Sequence, residues 1–131
     1  MSLEENKAIV RRLNEALNKK DLTILDELTT PDYVDHTNQL RGWEDVRKFY
    51  TRVFKDFPVW HRIIEDIIAE GDKVWVRFKV TGTTPSGKKI ELTTVSILRI
   101  VNGKAVEGWT VPKVTGEFYE KLLWQFNNPH V

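Results

Sequence analysis

The sequence predicts an α+β domain in which the helices come first along the chain and an antiparallel sheet follows. Apolar residues recur at helical intervals up to about residue 57, and beyond residue 59 their period changes to two. Turn-forming residues at 70–72, 85–88 and 102–103 then divide the second half into long strand segments. Helices separated from strands in this way are typical of a sheet with helices packed on one face.

The first two helices are predicted from their ends. A capping box, Ser2 followed three residues later by Glu5, opens a helix over about residues 3–19. Asp21 can cap a shorter second helix, which ends before Pro31. The apolar residues of this second helix are Leu22, Leu25 and Leu28.

A brief extended segment, residues 33–36, precedes a third helix that begins after Gly42. That helix ends at Pro58, because proline disfavours helix at the residue before it. Its apolar side carries Val46, Phe49, Tyr50, Val53 and Phe54. A last amphipathic pattern predicts a C-terminal helix with Phe118, Leu122, Leu123 and Phe126.

Four antiparallel strands are predicted in a meander, and Asn102-Gly103 gives the strongest hairpin signal. The strands cover roughly residues 59–69, 73–83, 89–101 and 104–112. The second strand alternates between a purely apolar face and a mixed face. The apolar residues are Val74, Val76, Phe78 and Val80, and the others are Trp75, Arg77, Lys79 and Thr81. The apolar face should meet the helices.

The predicted inner face becomes more polar in the last two strands. By parity, one face of the third strand carries Ile90, Leu92, Thr94, Ser96, Leu98 and Ile100, and one face of the fourth carries Val106, Gly108 and Thr110. Buried hydroxyls at Thr94, Ser96 and Thr110 need hydrogen-bond partners. We therefore expect either a small satisfied network or the polar part of a cavity.

Composition limits the function. The 131 residues fit one domain, 1–131, and a net charge of +1 gives no basic excess for binding nucleic acid. The absence of cysteine excludes disulfides, thiol nucleophiles and thiolate zinc sites. No stretch approaches about 18 uncharged apolar residues, so we expect no membrane association and a cytoplasmic location.

The chain resembles the SnoaL-like polyketide cyclases, a branch of the nuclear transport factor 2-like superfamily that also holds ketosteroid isomerase. The resemblance covers residues 6 to 112 and rests on the order and spacing of several fragments. These are residues 6–12, 18–22, 25–28, 31–36, 67–74, 98–100, 102–104 and 107–109. It implies a nuclear transport factor 2-like, or cystatin-like, fold: a strongly bent antiparallel sheet wrapped against the N-terminal helices to form a cone with a pocket.

The resemblance also implies a small enzyme that needs no cofactor and acts on a hydrophobic carbonyl compound. In such cyclases an Asp after the Trp of the last strand is the general acid/base, and this chain has Thr110 there. A threonine hydroxyl does not exchange protons as a carboxylate does near neutral pH. A non-catalytic binding protein and an interaction module using the exposed sheet therefore stay open as alternatives.

The resemblance to ketosteroid isomerase points to His36 as the base and Ser96 as the oxyanion donor. A histidine titrates near neutral pH, so His36 could accept a proton from a wall of the cone opposite Ser96 and Thr110. Asp35 alternates with His36 and should point the other way. The structural alternatives are that His36 only bonds a backbone carbonyl or caps a turn, and that the two hydroxyls are satisfied core groups.

The expected ligand is a small hydrophobic molecule. Its predicted contacts are Tyr33, Tyr50, Phe54, Phe78 and Leu98. No metal site is expected, because His61 and His130 lack the spacing of a metal-binding motif. Trp75 and Trp109 should lie on the convex face of the sheet, where a homodimer would cover them.

Overall fold

The structure, a computed structural model, describes residues 1–112, and the predicted C-terminal helix lies outside them. The helices are α1 (Leu3–Asn18), α2 (Leu22–Leu28) and α3 (Trp43–Asp56). The strands are β1 (Thr29–Asp35), β2 (Leu40–Arg41), β3 (Val59–Glu70), β4 (Lys73–Thr83), β5 (Lys89–Val101) and β6 (Lys104–Val111). Within the described part of the chain, no helix is long and apolar enough to cross a membrane.

The helix ends follow the predicted capping chemistry. Ser2 Oγ accepts from the backbone N–H of Glu5, and the Glu5 carboxylate accepts from the backbone N–H of Ser2. Asp21 Oδ1 accepts from the first backbone N–H groups of α2. Gly42, immediately before α3, has a φ of +86°, a conformation that glycine adopts at little cost. The three predicted helices are confirmed.

The sheet has six strands in the order β2-β1-β6-β5-β4-β3. The antiparallel meander from β3 to β6 is confirmed. The extended segment after α2 is a true strand, β1, and it pairs parallel with β6. The sheet is therefore mixed rather than wholly antiparallel, and it is open, since β2 and β3 lie at its edges. This α+β architecture agrees with the predicted fold class.

Three register shifts interrupt the pairing of the strands. One lies in β3 between Ile64 and Asp66, and one separates the Arg99 and Ile100 pairings of β5 with β6. The third lies between Thr29 and Val34 in the pairing of β1 with β6. An extra residue at a bulge reverses the faces on either side of it and increases the twist. The prediction that Val106 shares the inner face is therefore wrong, because Ala105 is the residue buried there.

The core lies between the inner face of the sheet and the helices. Val74, Val76, Phe78 and Val80 of β4 are all buried and pack with Val10 and its neighbours on α1. The predicted apolar face of β4 is thus the helix-covered face. The polar inner residues Thr94 and Ser96 are buried as well.

The outer face carries an apolar row that crosses four strands. Register places Ile68 beside Trp75, Trp75 beside Ile97, and Ile97 beside Trp109. We call these four residues the outer stripe. Trp75 keeps 46% of its surface exposed, so both Trp75 and Trp109 lie on the face that the sequence predicts for them. Ion pairs such as Arg77 with Asp66 share this face.

Candidate functional site

A cavity of about 150 Å³ opens between the inner face of the sheet and the helices. Most of its walls are apolar or aromatic. All six strands and all three helices contribute lining residues. The largest rings and aliphatic groups include Trp43, Phe49, Trp60, Phe78 and Leu98. A concave apolar space with few polar groups is the usual form of a small-molecule site.

Asp35 is the only acidic side chain among the described residues that line this cavity. Its Oδ1 accepts from the backbone N–H groups of Thr37 at 3.1 Å and Asn38 at 3.0 Å. Its Oδ2 accepts from Asn38 Nδ2 at 3.0 Å. A carboxylate offers about four lone-pair positions, so these three bonds fix the group and leave Oδ2 able to accept a proton.

His36 lies outside the cavity, and the prediction that it faces the cone is wrong. Its Nε2 is 2.8 Å from Glu107 Oε1, and its ring stacks on Trp109 with 4.9 Å between centroids. The side chain is 42% exposed. Asp35 pairs with Gly108 of β6 and points inward, so the next residue along the strand must point outward.

Ser96 and Thr110 both line the cavity and bond each other, with 3.2 Å between Oγ and Oγ1. The backbone N–H of Thr110 donates to Thr37 Oγ1 at 3.0 Å. These hydroxyls form a small hydrogen-bonded network and are also the polar part of the cavity wall. The two possibilities expected from the sequence therefore occur together. His36 was expected on the wall opposite these two hydroxyls, and this placement is wrong, because His36 directly follows β1, which lies next to the β6 strand of Thr110.

Tyr33 lies on the same face of β1 as Asp35 and rests against the backbone of β6. A Cβ atom added at Gly108 would collide with the Tyr33 hydroxyl, so glycine is what allows the ring to lie there. Burial raises the pKa of Tyr33 well above its ordinary value, and the negative charge of Asp35 adds to the effect. The phenol therefore stays protonated and keeps its O–H as a donor.

Tyr50 enters the cavity from α3. Burial raises the pKa of Tyr50, and the nearby positive charge of Arg62 opposes that effect. Tyr50 is thus a second neutral O–H donor at the cavity.

Phe54 does not line the cavity, although it was expected to contact the ligand. One helical turn beyond Tyr50, it packs against Trp60 with 5.6 Å between ring centroids. It therefore supports the wall from behind. The other four expected contacts, Tyr33, Tyr50, Phe78 and Leu98, do line the cavity, and their role in binding stays a prediction.

Arg62 is a charged cavity residue that was not predicted from the sequence. Its guanidinium lies 3.7 Å from the centroid of the Phe78 ring, and its Nε donates to Asn14 Oδ1 at 2.7 Å. Burial lowers the pKa of Arg62, and Tyr50 opposes the shift. The signal was present in the sequence, because Arg62 shares its parity in β3 with Trp60 and Ile64, on the inward face.

The cavity therefore holds one negative and one positive group. Asp35 comes from β1 near one edge of the sheet, and Arg62 comes from β3 at the other edge. Both charges affect the pKa of Tyr33 and of Tyr50, so both lie near these two phenols. Residues 1–112 contain no group of three or more His, Asp or Glu side chains arranged to hold a metal ion.

Comparison with solved structures gives several relatives of the same fold. AclR, a proposed hydroxylase from Streptomyces galilaeus, is 31% identical with a TM-score of 0.75, covering 84% of this chain and 79% of AclR. A proposed polyketide cyclase from Bacillus cereus is 28% identical with a TM-score of 0.75, covering 82% and 73% of the two chains. An NTF2-like protein of unknown function from Burkholderia pseudomallei, 21% identical, shares the fold with a TM-score of 0.74 over 93% and 96%.

Among curated proteins, none matches the sequence. The family model for SnoaL-like polyketide cyclase matches residues 7–117, which is most of the chain. The family model and the solved structures point to the same fold, a six-stranded sheet with helices on one face. The chain belongs to the SnoaL-like polyketide cyclase family.

Proposed function

We propose that this protein is a small enzyme of the cyclase and isomerase type that moves a proton next to the carbonyl group of a hydrophobic compound. The observation that carries the proposal is Asp35, the one carboxylate among the described residues lining a cavity whose other walls are mostly apolar. A base in such a place meets a C–H group with little competition from water.

Asp35 is the base of the proposed step. Its Oδ2 takes the proton from the carbon beside the carbonyl, and the electron pair of that C–H bond moves to form an enolate. The hydroxyl of Tyr33, which shares the inward face of β1 with Asp35, donates to the oxygen on which negative charge develops. Tyr50, Ser96 and Thr110 offer further O–H groups at the same cavity.

Asp35 could take the role of the carboxylate that is absent at position 110. Asp35 pairs with Gly108, which precedes Thr110 by two residues on the inner face of β6. A carboxylate from the neighbouring strand thus lies beside the place where the resemblance to the cyclases puts one. His36 is not the base in this proposal, because its ring contacts Glu107 and Trp109 on the outer face.

The proposal is limited to proton transfer. The two relatives described above carry different proposed activities, a hydroxylase and a polyketide cyclase. The enolate is an early intermediate from which different later bonds can form, so the cavity residues do not specify the product. The step needs no cofactor, since base and donors all belong to this chain.

Exchange of solvent deuterium into β-tetralone, a bicyclic aromatic ketone, tests the proposal. The wild-type protein should accelerate exchange at the carbon beside the carbonyl, and Asp35→Asn should slow it about a hundredfold or more, because an amide cannot take up the proton. His36→Gln is the matched control, since it alters a polar side chain one residue away but outside the cavity. It should exchange at the wild-type rate.

Thr110, in place of the family's acid, favours one alternative, a protein that binds such compounds without reacting. Binding of β-tetralone without accelerated exchange would support that alternative and contradict an enzymatic role. Absence of binding would favour an interaction module that uses the outer stripe.

A further inference from the structure

We propose that Arg62 is an anion subsite and that the ligand of this cavity is a hydrophobic acid whose carboxylate binds the Arg62 guanidinium. The inference rests on the proposed function to the extent that the cavity is taken to hold the ligand. It adds the substrate class, a hydrophobic keto acid, which the proton-transfer step alone does not specify.

Arg62 differs from the ion-paired arginines of the surface. Arg47, Arg77 and Arg99 each lie within ion-pair distance of a carboxylate. Among residues 1–112, no Asp or Glu side chain lies that close to the Arg62 guanidinium. The one arginine that lines the cavity is therefore a cation without a protein counter-charge in the described structure.

The contacts of the Arg62 guanidinium compensate only in part for the hydration that the cation loses in the cavity. Phe78 covers one face of the group at 3.7 Å, and the Trp60 ring centroid lies 5.9 Å away. Asn14 accepts from Nε, and the Tyr50 hydroxyl accepts from the guanidinium. A ring face and a neutral amide stabilise a cation less than a carboxylate does. Removing a guanidinium from water is costly unless it is paired, and burial accordingly lowers the pKa of Arg62. The two terminal nitrogens can present parallel N–H groups to a carboxylate.

The backbone contacts of Arg62 do not explain the choice of arginine at this position. The backbone of Arg62 joins β3 to α1: its carbonyl accepts from Asn14 Nδ2 at 3.0 Å and from Asn18 Nδ2 at 2.9 Å. Its N–H donates to Asn18 Oδ1 at 2.8 Å. These three bonds use backbone atoms and would form with any residue except proline at the N–H. The side chain adds hydrogen bonds to Asn14 and Tyr50, but these partners are neutral and do not account for a positive charge.

The two charges of the cavity would orient such a ligand. A carboxylate is attracted to Arg62 and repelled by Asp35, so the acid end lies toward β3. The other end of the ligand then lies toward β1, where Asp35 and Tyr33 meet it. A keto acid bound in this direction presents its carbonyl to the proposed base.

Calorimetric titration with naphthoate and naphthamide tests the subsite, because the two probes share one ring system and differ in charge. Wild-type protein should bind naphthoate at least tenfold more tightly than naphthamide. Arg62→Gln should remove this preference and leave the affinity for naphthamide within about twofold. Arg77→Gln is the matched control on the outer face, and it should keep the full preference.

Equal affinity of the wild-type protein for both probes would overturn the anion subsite and leave the proton-transfer proposal standing, since the cavity would still bind an aromatic compound. A preference that Arg77→Gln also removes would overturn it too, by showing a general effect of surface charge. Binding of neither probe would contradict both the subsite and a cavity that takes aromatic ligands.

A second measurement covers the case in which Arg62→Gln does not fold. In the wild-type protein, the Nε–H resonance of Arg62 should shift on addition of naphthoate and stay in place with naphthamide. An unmoved resonance at saturating naphthoate would overturn the assignment. Failure of the β-tetralone exchange assay alone would not, because naphthoate binding requires no proton transfer.

Discussion

Gly108→Ala is a sensitive test of how the Tyr33 ring is placed. A Cβ atom at position 108 would collide with the Tyr33 hydroxyl and would lie 2.8 Å from Leu98 Cδ2 and 3.2 Å from the Ile97 carbonyl oxygen. Leu98 can rotate away, because it is a flexible side chain at the cavity wall. The Tyr33 ring is held between β6 and the core and has less room to move.

The expected cost follows from two opposing effects. Overpacking a well-filled interior destabilises a protein by about 1–3 kcal/mol. Replacing glycine by alanine in a strand returns about 0.5–1 kcal/mol, because glycine loses more conformational freedom on folding. We therefore expect Gly108→Ala to lower the free energy of unfolding by about 1–2 kcal/mol.

A double-mutant cycle with Tyr33→Phe isolates the contact. Phenylalanine lacks the hydroxyl that the new methyl group would strike, so Gly108→Ala should cost about 0.5 kcal/mol or less in that background. The free energies come from urea unfolding of the four proteins, with equal slopes required for comparison. The same cost of Gly108→Ala in both backgrounds would refute the placement of Tyr33 against β6.

Three further predictions concern the phenols and the two faces of the sheet. The raised pKa values of Tyr33 and Tyr50 give stability that is complete below the ordinary tyrosine value of about 10 and is lost as pH rises through the higher folded-state values. Urea unfolding should therefore show a steeper alkaline loss in the wild type than in the Tyr33→Phe, Tyr50→Phe double variant, and equal losses would contradict this. Burying the outer stripe between two copies should make the protein a homodimer, so Trp75→Glu should raise the monomer fraction in sedimentation. A wild-type monomer at micromolar concentration would contradict the dimer. Finally, Phe78→Ala should cost about 3–5 kcal/mol in urea unfolding, because it removes a fully buried ring. A loss below about 1 kcal/mol would contradict its place in the core.

Local signals predicted much of the fold. Capping at Ser2 and Asp21, the helix stop at Pro58 and the hairpin at Asn102-Gly103 each depend on neighbouring residues, and each is found in the structure. The parallel pairing of β1 with β6 joins segments about 75 residues apart, as in the Thr30 to Ala105 contact, and strand periodicity does not encode such a partner. The bulge before Glu107 likewise changes which residues of β6 face inward. The prediction for Val106 assumed uninterrupted alternation along the whole strand and was therefore wrong.

The sequence predicted which segment carries the candidate site, but not which side of that segment faces the cavity. Alternation correctly indicated that Asp35 and His36 point in opposite directions, yet it could not say which one points inward. That choice is made by the pairing of Asp35 with Gly108 and by the outer contacts of His36 with Glu107 and Trp109. Arg62 was overlooked because charged residues are usually exposed, although its strand parity already placed it beside Trp60 and Ile64.

A crystal structure of the protein with β-tetralone bound would show whether Asp35 faces the reacting carbon in this cavity. We expect the ketone inside the cavity, with the carbon beside its carbonyl about 3–3.5 Å from Asp35 Oδ2 and the carbonyl oxygen at the Tyr33 or Tyr50 hydroxyl. A ketone bound on the outer face near His36, or one in the cavity with that carbon directed away from Asp35, would contradict this expectation.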